Sequence, residues 1–209
     1  MKGTVFTSLE SQRLRLRRFV EADLPPFLAY LNDPLVARYQ TWESYTEQQA
    51  RDVIQKQQDL VPGVPGQWFI FAVELKAAEV LIGHVALKMA DHQQAEIGFT
   101  FSRAHQGQGL ACEAATCVLN YVFTKLELHR VIAITDCGNE RSVALLSRLG
   151  MRREGHFIQN IWFKGKWGDM QCCGKSGSAS APSKQLIEPD RSIASLSSSC
   201  GRFPYVYHH

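Results

Sequence analysis

Residues 103–114, RAHQGQGLACEA, constrain this chain more than any other stretch. Two glycines stand one residue apart, after an alternating run and before sequence with helical periodicity. Such a strand–loop–helix junction fixes a fold in which a sheet delivers backbone to the start of a helix. The first N–H groups of that helix lack internal partners and point outward, with the positive end of the helix dipole behind them. Gly107 and Gly109 permit positive φ and close approach, so an anion such as a phosphate fits there. Taken alone, the stretch serves equally well as a flexible lead into a helix.

The flanking pattern sets the architecture. Residues 13–19, RLRLRRF, alternate at period two and read as an edge strand with a charged outer face. A short helix is expected over 23–31, with Pro25 and Pro26 tolerated in its first turn. Thr46 to Gln49 form a capping box opening a polar helix to about Leu60, and PGVPG at 62–66 stops it. Strands over 68–75, 80–89 and 95–102 follow with short polar connections, an antiparallel meander. Leu110, Ala114, Val118 and Tyr121 recur at helical spacing over 109–126. RVIAIT at 130–135 reads as a strand buried on both faces, 140–149 as a helix ended by Gly150, and 155–164 as a further strand. This order gives an α/β chain of α+β type: a mixed, mostly antiparallel sheet with helices on both faces.

Composition changes after Asp169. Residues 171–209 hold nine serines in 39 positions, interrupted by Pro182, Pro189 and Pro204. The expected division is a folded domain over 1–170 and a serine-rich, disordered tail over 171–209. A net charge of +3 gives no argument for nucleic acid, and no run approaches the roughly 18 apolar residues of a membrane span. No secretory signal is legible at the N-terminus, so the expected location is the cytoplasm. The six cysteines have neither zinc-ribbon nor redox spacing, and Cys112 and Cys117 read as small buried hydrophobes. No metal is expected.

The loop lacks the Gly-Lys-Ser/Thr of a nucleoside-triphosphate loop, and Cys112 stands where a dinucleotide fingerprint has its third glycine. Gln106-x-x-Gly109-x-Ala111 instead resembles the Q/R-x-x-G-x-G/A pattern of the GNAT acetyltransferases. Residues 139–155, NERSVALLSRLGMRREG, resemble that family's N-x-x-S…L-G-F-x-x-E-G block, with Met151 for the usual Phe. AEIGFTF (95–101) and GKWGD (165–169) are similar to its strand before the loop and its turn before the last strand. The likeness spans about residues 14–169 and is greatest to the RimJ/RimL-type ribosomal-protein N-terminal acetyltransferases.

That resemblance implies acetyl-coenzyme A as co-substrate and a primary amine as acceptor, either a protein N-terminus or a small molecule. Its pyrophosphate would lie on Gln106, Gly107, Gln108, Gly109, Leu110 and Ala111. Phe99, Thr100, Phe101 and Ser102 would hold the pantetheine arm and thioester carbonyl, and Asn139 would contact the pantetheine side. Glu96 is the candidate base, a role that needs partial burial to raise its pKa; the other reading is a solvated strand carboxylate. The helix after Asn139 has no tyrosine to protonate the leaving thiolate, which leaves Ser142 as candidate acid or as helix cap. Trp42 is a candidate acceptor-site wall or a core residue. His84 reads as a satisfied core histidine and His105 as a loop residue. Beyond KGKWGD the family continues with an apolar strand, whereas MQCCGKSGSASAPS alternates poorly, so the closing strand is expected to be missing or altered. A second possibility is a domain that binds acetyl-coenzyme A without turnover, and a third a nucleotide-binding module.

Overall fold

The computed structural model describes residues 6–90 and 93–177. Eight strands form one sheet in the order β1-β2-β3-β4-β5-β6-β8-β7. β1 (Ser8–Glu10) and β2 (Leu14–Arg17) lead into α1 (Leu24–Leu31), α2 (Pro34–Ala37) and α3 (Glu47–Lys56). The meander β3 (Trp68–Leu75), β4 (Val80–Met89) and β5 (Gln94–Phe101) follows. Then come α4 (Leu110–Thr124), β6 (Arg130–Asp136), α5 (Glu140–Arg148), β7 (Arg152–Phe163) and β8 (Lys166–Ser176). Every strand pair is antiparallel except β5–β6.

Helices cover both faces, and each face has its own core. Under α4 and α5 lie Phe69, Phe71, Val85, Ile97, Phe101, Val118, Val122, Val131 and Leu146. Under α1–α3 lie Phe27, Tyr30, Trp42, Val53, Ile54, Ile70 and Ala86. Because successive strand residues alternate in direction, the buried meander feeds both cores at once. Phe69 and Phe71 go to the α4 side, and Ile70 and Ala72 to the other. Each such side chain contributes about 1.5–3 kcal/mol when removed from water.

Local signals act as expected at the helix ends. Thr46 Oγ1 accepts from Gln49 N while Gln49 Oε1 accepts from Thr46 N, the reciprocal box that opens α3. Gly150 takes φ +71° after α5, where Gly150 N donates to Ser147 O and Met151 N to Leu146 O, a Schellman motif.

Three expectations are corrected. β2 is not the sheet edge, because β1 pairs along it, and its arginines face a network: Arg17 binds Asp23 and Glu74, and Arg15 binds Glu74. β6 is buried on one face only, since Ile132 and Ile134 stay half-exposed between buried Val131 and Ala133.

The third concerns the closing strand, which is present. β8 runs between β6 and β7, pairing from Met170 opposite Asp136 to Ser176 opposite Arg130, and along β7 from Lys166 to Gly174. Its inward positions are Gln171, Cys173 and Lys175, too polar to show as an apolar alternation. Cys173 joins the core, and Lys175 Nζ donates to Leu149 O at 2.6 Å, at the α5 C-terminus. The backbone ladder on both sides holds this strand, and the sheet therefore extends past Met170 to Ser176. The expected tail from residue 178 lies outside the described residues.

Candidate active site

The glycine loop is a built feature. Gly107 and Gly109 both have φ +77°, and a Cβ on Gly107 would meet nothing within 4 Å, so the loop opens to solvent there. Gly109 caps α4 in the left-handed region. Among the described residues, the backbone N–H groups of residues 107–112 find no protein acceptor. Six donors of the loop and the helix start thus face outward, a cradle for a polyanion.

Side chains distant in sequence hold the cradle. Gln106 Nε2 donates to Phe101 O at 2.9 Å, and Gln106 Oε1 accepts from Arg141 Nη1 at 2.8 Å. Gln108 Nε2 donates to Ala104 O, and Gln108 O accepts from Arg13 Nη1 at 3.1 Å. Arg13 is fixed by Glu113 at 2.7 Å, and Ser11 Oγ donates to the same carboxylate. Burial pushes the Glu113 pKa up, but the bonds from Arg13 and Ser11 hold it below the usual value. Arg13, Glu113 and Arg141 escape sequence reading, because nothing local links Arg13 to Glu113, 100 positions away, or Arg141 to Gln106, 35 positions away.

Behind the loop the sheet opens. β5 and β6 pair only from Gln94 opposite Arg130 to Glu96 opposite Ile132, although both strands continue to Phe101 and Asp136. Beyond Glu96 the parallel strands diverge. Ser102 N donates to Ile82 O on the β4 side, so by alternation Ile97, Phe99 and Phe101 turn their backbone groups toward the gap. Of these, the Phe101 carbonyl is already taken by Gln106. Thr100 turns its backbone to β4 and its side chain to the α1–α3 face.

Glu96 stands where the gap begins. Ala95 and Ile97 point into the α4 core, which sends Glu96 to the opposite face. It is half-buried, and burial pushes its pKa up to about 7 against the pull of the Lys88 ammonium at the paired position. A carboxyl that titrates near neutrality suits proton abstraction. Asn139 caps α5, its Oδ1 accepting from Ser142 N at 3.2 Å, so the helix cap is Asn139 and not Ser142. Ser142 sits half-buried in the first turn of α5.

Trp42 is corrected to a core residue: it is 5% exposed, with Nε1 donating to Leu31 O at 3.0 Å. His84 is buried as expected, its Nδ1 2.7 Å from Tyr30 Oη, and burial lowers its pKa to about 3, so the ring stays neutral. His105 lies in the loop with Nδ1 buried and unpartnered among the described residues. No group of side chains suited to a metal stands among the described residues, and no described helix is long and apolar enough to cross a membrane.

The family description acetyltransferase (GNAT) domain matches residues 13–152. The chain belongs to the GNAT acetyltransferase family. Among curated relatives, the N-acetyltransferase p20 of Bacillus licheniformis is 35% identical over 151 residues, 71% of this chain and 84% of p20. A GNAT acetyltransferase structure from Bacillus anthracis superposes with TM-score 0.73 at 29% identity, covering 81% of this chain and 98% of that one. Spermidine N-acetyltransferase of Vibrio cholerae, solved with CoA and spermine, gives TM-score 0.68 at 25% identity over 79% of this chain and 96% of its own. RimL, the ribosomal L7/L12 α-N-protein acetyltransferase solved with coenzyme A, shares the fold at TM-score 0.70 and 17% identity, covering 81% and 97%. Within that family the chain is an acetyltransferase with the family's mixed α/β fold.

Proposed function

We propose that this GNAT enzyme transfers the acetyl group of acetyl-coenzyme A to a primary amine by direct attack in a ternary complex. One observation carries the reading: an outward-facing helix N-terminus and a carboxyl titrating near 7 stand at the two sides of one gap between β5 and β6. The loop N–H groups of residues 107–111 bind the pyrophosphate. The gap-facing backbone of Ile97 and Phe99, with Asn139 opposite, guides the pantetheine arm so that the thioester lies beside Glu96.

Glu96 then removes a proton from the ammonium, directly or through water. The neutral nitrogen attacks the thioester carbonyl carbon, the C–S bond breaks, and the thiolate leaves with a proton supplied by Ser142 or by solvent. Atoms balance as acetyl-coenzyme A plus amine giving N-acetylamine plus coenzyme A. The acceptor is a protein N-terminus or a small-molecule amine, the two kinds represented in the names of RimL and the spermidine enzyme.

The test has two stages. Thermal stabilisation by coenzyme A, and none by NAD or ATP, is expected of the loop. Thiol release is then measured with acetyl-coenzyme A and a panel containing spermidine and short peptides with free N-termini. Release with at least one amine supports enzyme action; stabilisation without release from any of them sinks it.

A further inference from the structure

Three side chains stand in a row across the sheet where the gap begins. Register places Trp68 of β3 opposite Lys88 of β4, and Lys88 opposite Glu96 of β5. Glu96 in turn is opposite Ile132, the last pair before β5 and β6 diverge. Directly opposed residues share a face, with Cβ atoms about 4.5–5.5 Å apart. That face is the one under α1–α3, since Trp68, Ile70 and Ala86 belong to its core. The row therefore brings an indole, an ammonium and the candidate base together on one side of the sheet.

The ammonium is held, but not by the carboxyl. Lys88 Nζ lies 5.9 Å from the centre of the Trp68 ring, within the range of a cation–π contact. Trp68 is buried, so its ring is a fixed anchor for a lysine that is itself half-exposed. Between Lys88 and Glu96 there is attraction of charge and no hydrogen bond. Among the described residues no donor occupies the Glu96 carboxyl, so its oxygens stay free for an incoming ammonium.

The other titratable groups that face Glu96 are otherwise engaged or uncharged. On β6, Arg130 shares the face, but its guanidinium is bound by Glu154. Asp136 stands four residues beyond Ile132 on the same strand and accepts from Gly138 N at 2.7 Å. On β8, burial pushes the Cys172 thiol up, and the Glu154 carboxylate adds to that shift. Under α1, burial keeps His84 neutral beside Tyr30.

We propose that Lys88 is a positioning residue for acetyl transfer: held off by Trp68, its ammonium favours the charged, proton-accepting form of Glu96 without occupying its oxygens. This rests on the reading of Glu96 as base. A carboxyl as dehydrated as Glu96 would otherwise keep its proton past neutrality, and a protonated carboxyl takes none from the amine. An ammonium in direct contact would fail in the opposite way, by filling the place that the substrate's ammonium needs. The indole resolves the conflict, because it fixes the lysine where its field acts and its hydrogen bonds do not.

The experiment compares the full chain with Lys88→Met, which keeps an apolar stem against Trp68 and removes the charge, and Lys88→Arg, which keeps the charge and can stack on the ring. Two quantities are followed: kcat/KM for amine-dependent thiol release from pH 6 to 9, and the carbon-13 NMR titration of the Glu96 carboxyl without substrate. In Lys88→Met the acid limb of the rate profile and the carboxyl titration are both expected to move up by about one pH unit. Release is then about fivefold below the parent at pH 7 and nearly equal to it at pH 9, with Lys88→Arg close to the parent throughout. No loss at pH 7, a loss of the same size at both pH values, or an unmoved carboxyl titration in Lys88→Met overturns the proposal. Absence of thiol release by the parent with any amine overturns the acetyl-transfer reading instead, and the carboxyl titration then decides by itself whether Lys88 governs Glu96.

Discussion

Glu96 is readable as acidic from sequence, but its usefulness comes from burial that only the folded sheet supplies. With a pKa near 7, the transfer rate should rise through neutrality and level off above it, and Glu96→Gln should lose about 10²-fold or more at pH 7. An unshifted pH profile in the parent chain would remove Glu96 as base. The same shift carries a stability sign. The folded pKa lies above the unfolded 4.5, so the favourable contribution is complete below about pH 4.5 and is lost as pH rises through about 7. Glu96→Gln should therefore be more stable than the parent at pH 8, by roughly 1–3 kcal/mol, with the difference vanishing at pH 4; urea titrations at the two pH values check this. At Gly109, φ +77° makes any side chain strained, so Gly109→Ala should cost about 1 kcal/mol and weaken coenzyme A binding at the same time. Glycine was legible because the residue type itself encodes the backbone angle. The supports Arg13, Glu113 and Arg141 were not, because their pairings exist only after α4 packs against β1 and β2 and α5 comes beside the loop. Trp42 shows the complementary failure: an aromatic near a pocket and an aromatic in a core look alike in sequence, and Leu31 O decided between them.

Elements whose interior is apolar were read nearly to the residue, as β3 and β4 show, because both faces of the meander are buried. β8 failed for the converse reason. Its inward side chains are glutamine, cysteine and lysine, and its place is set by ladders to β6 and β7 that no periodicity reports. A chain ending at Met170 should lose most of that pairing, expose the β6 edge and aggregate, whereas Lys175→Met should keep the strand and fall by about 1–2 kcal/mol through the lost bond to Leu149 O. Equal solubility of the truncated and full chains would refute the role given to β8. The β4–β5 contact gives a second check. A Cβ on Gly83 would stand 2.5 Å from Thr100 O and 2.7 Å from the Phe101 ring, so Gly83→Ala should force the strands apart, with a loss of about 2–4 kcal/mol by chemical denaturation.

Across the whole molecule, two cores clamp one sheet, and the divergence of β5 from β6 is where they leave backbone unpaired. That arrangement explains why the family was legible from motifs while the acceptor was not. The proposed cofactor side is backbone at a glycine loop, which a sequence pattern marks. The acceptor side, as proposed, centres on Glu96, whose burial only the fold supplies. The closing strand also removes the reason for reading the chain as a silent binder, since the sheet that carries the gap is complete through β8. Amine-dependent thiol release from acetyl-coenzyme A, by the parent chain and by Glu96→Gln at pH 7.5, tests the central claim most directly. Release with at least one amine, reduced about 10²-fold or more in the variant while coenzyme A still stabilises both, is the expected result. Equal release by the two chains, or none by the parent with any amine, would contradict it.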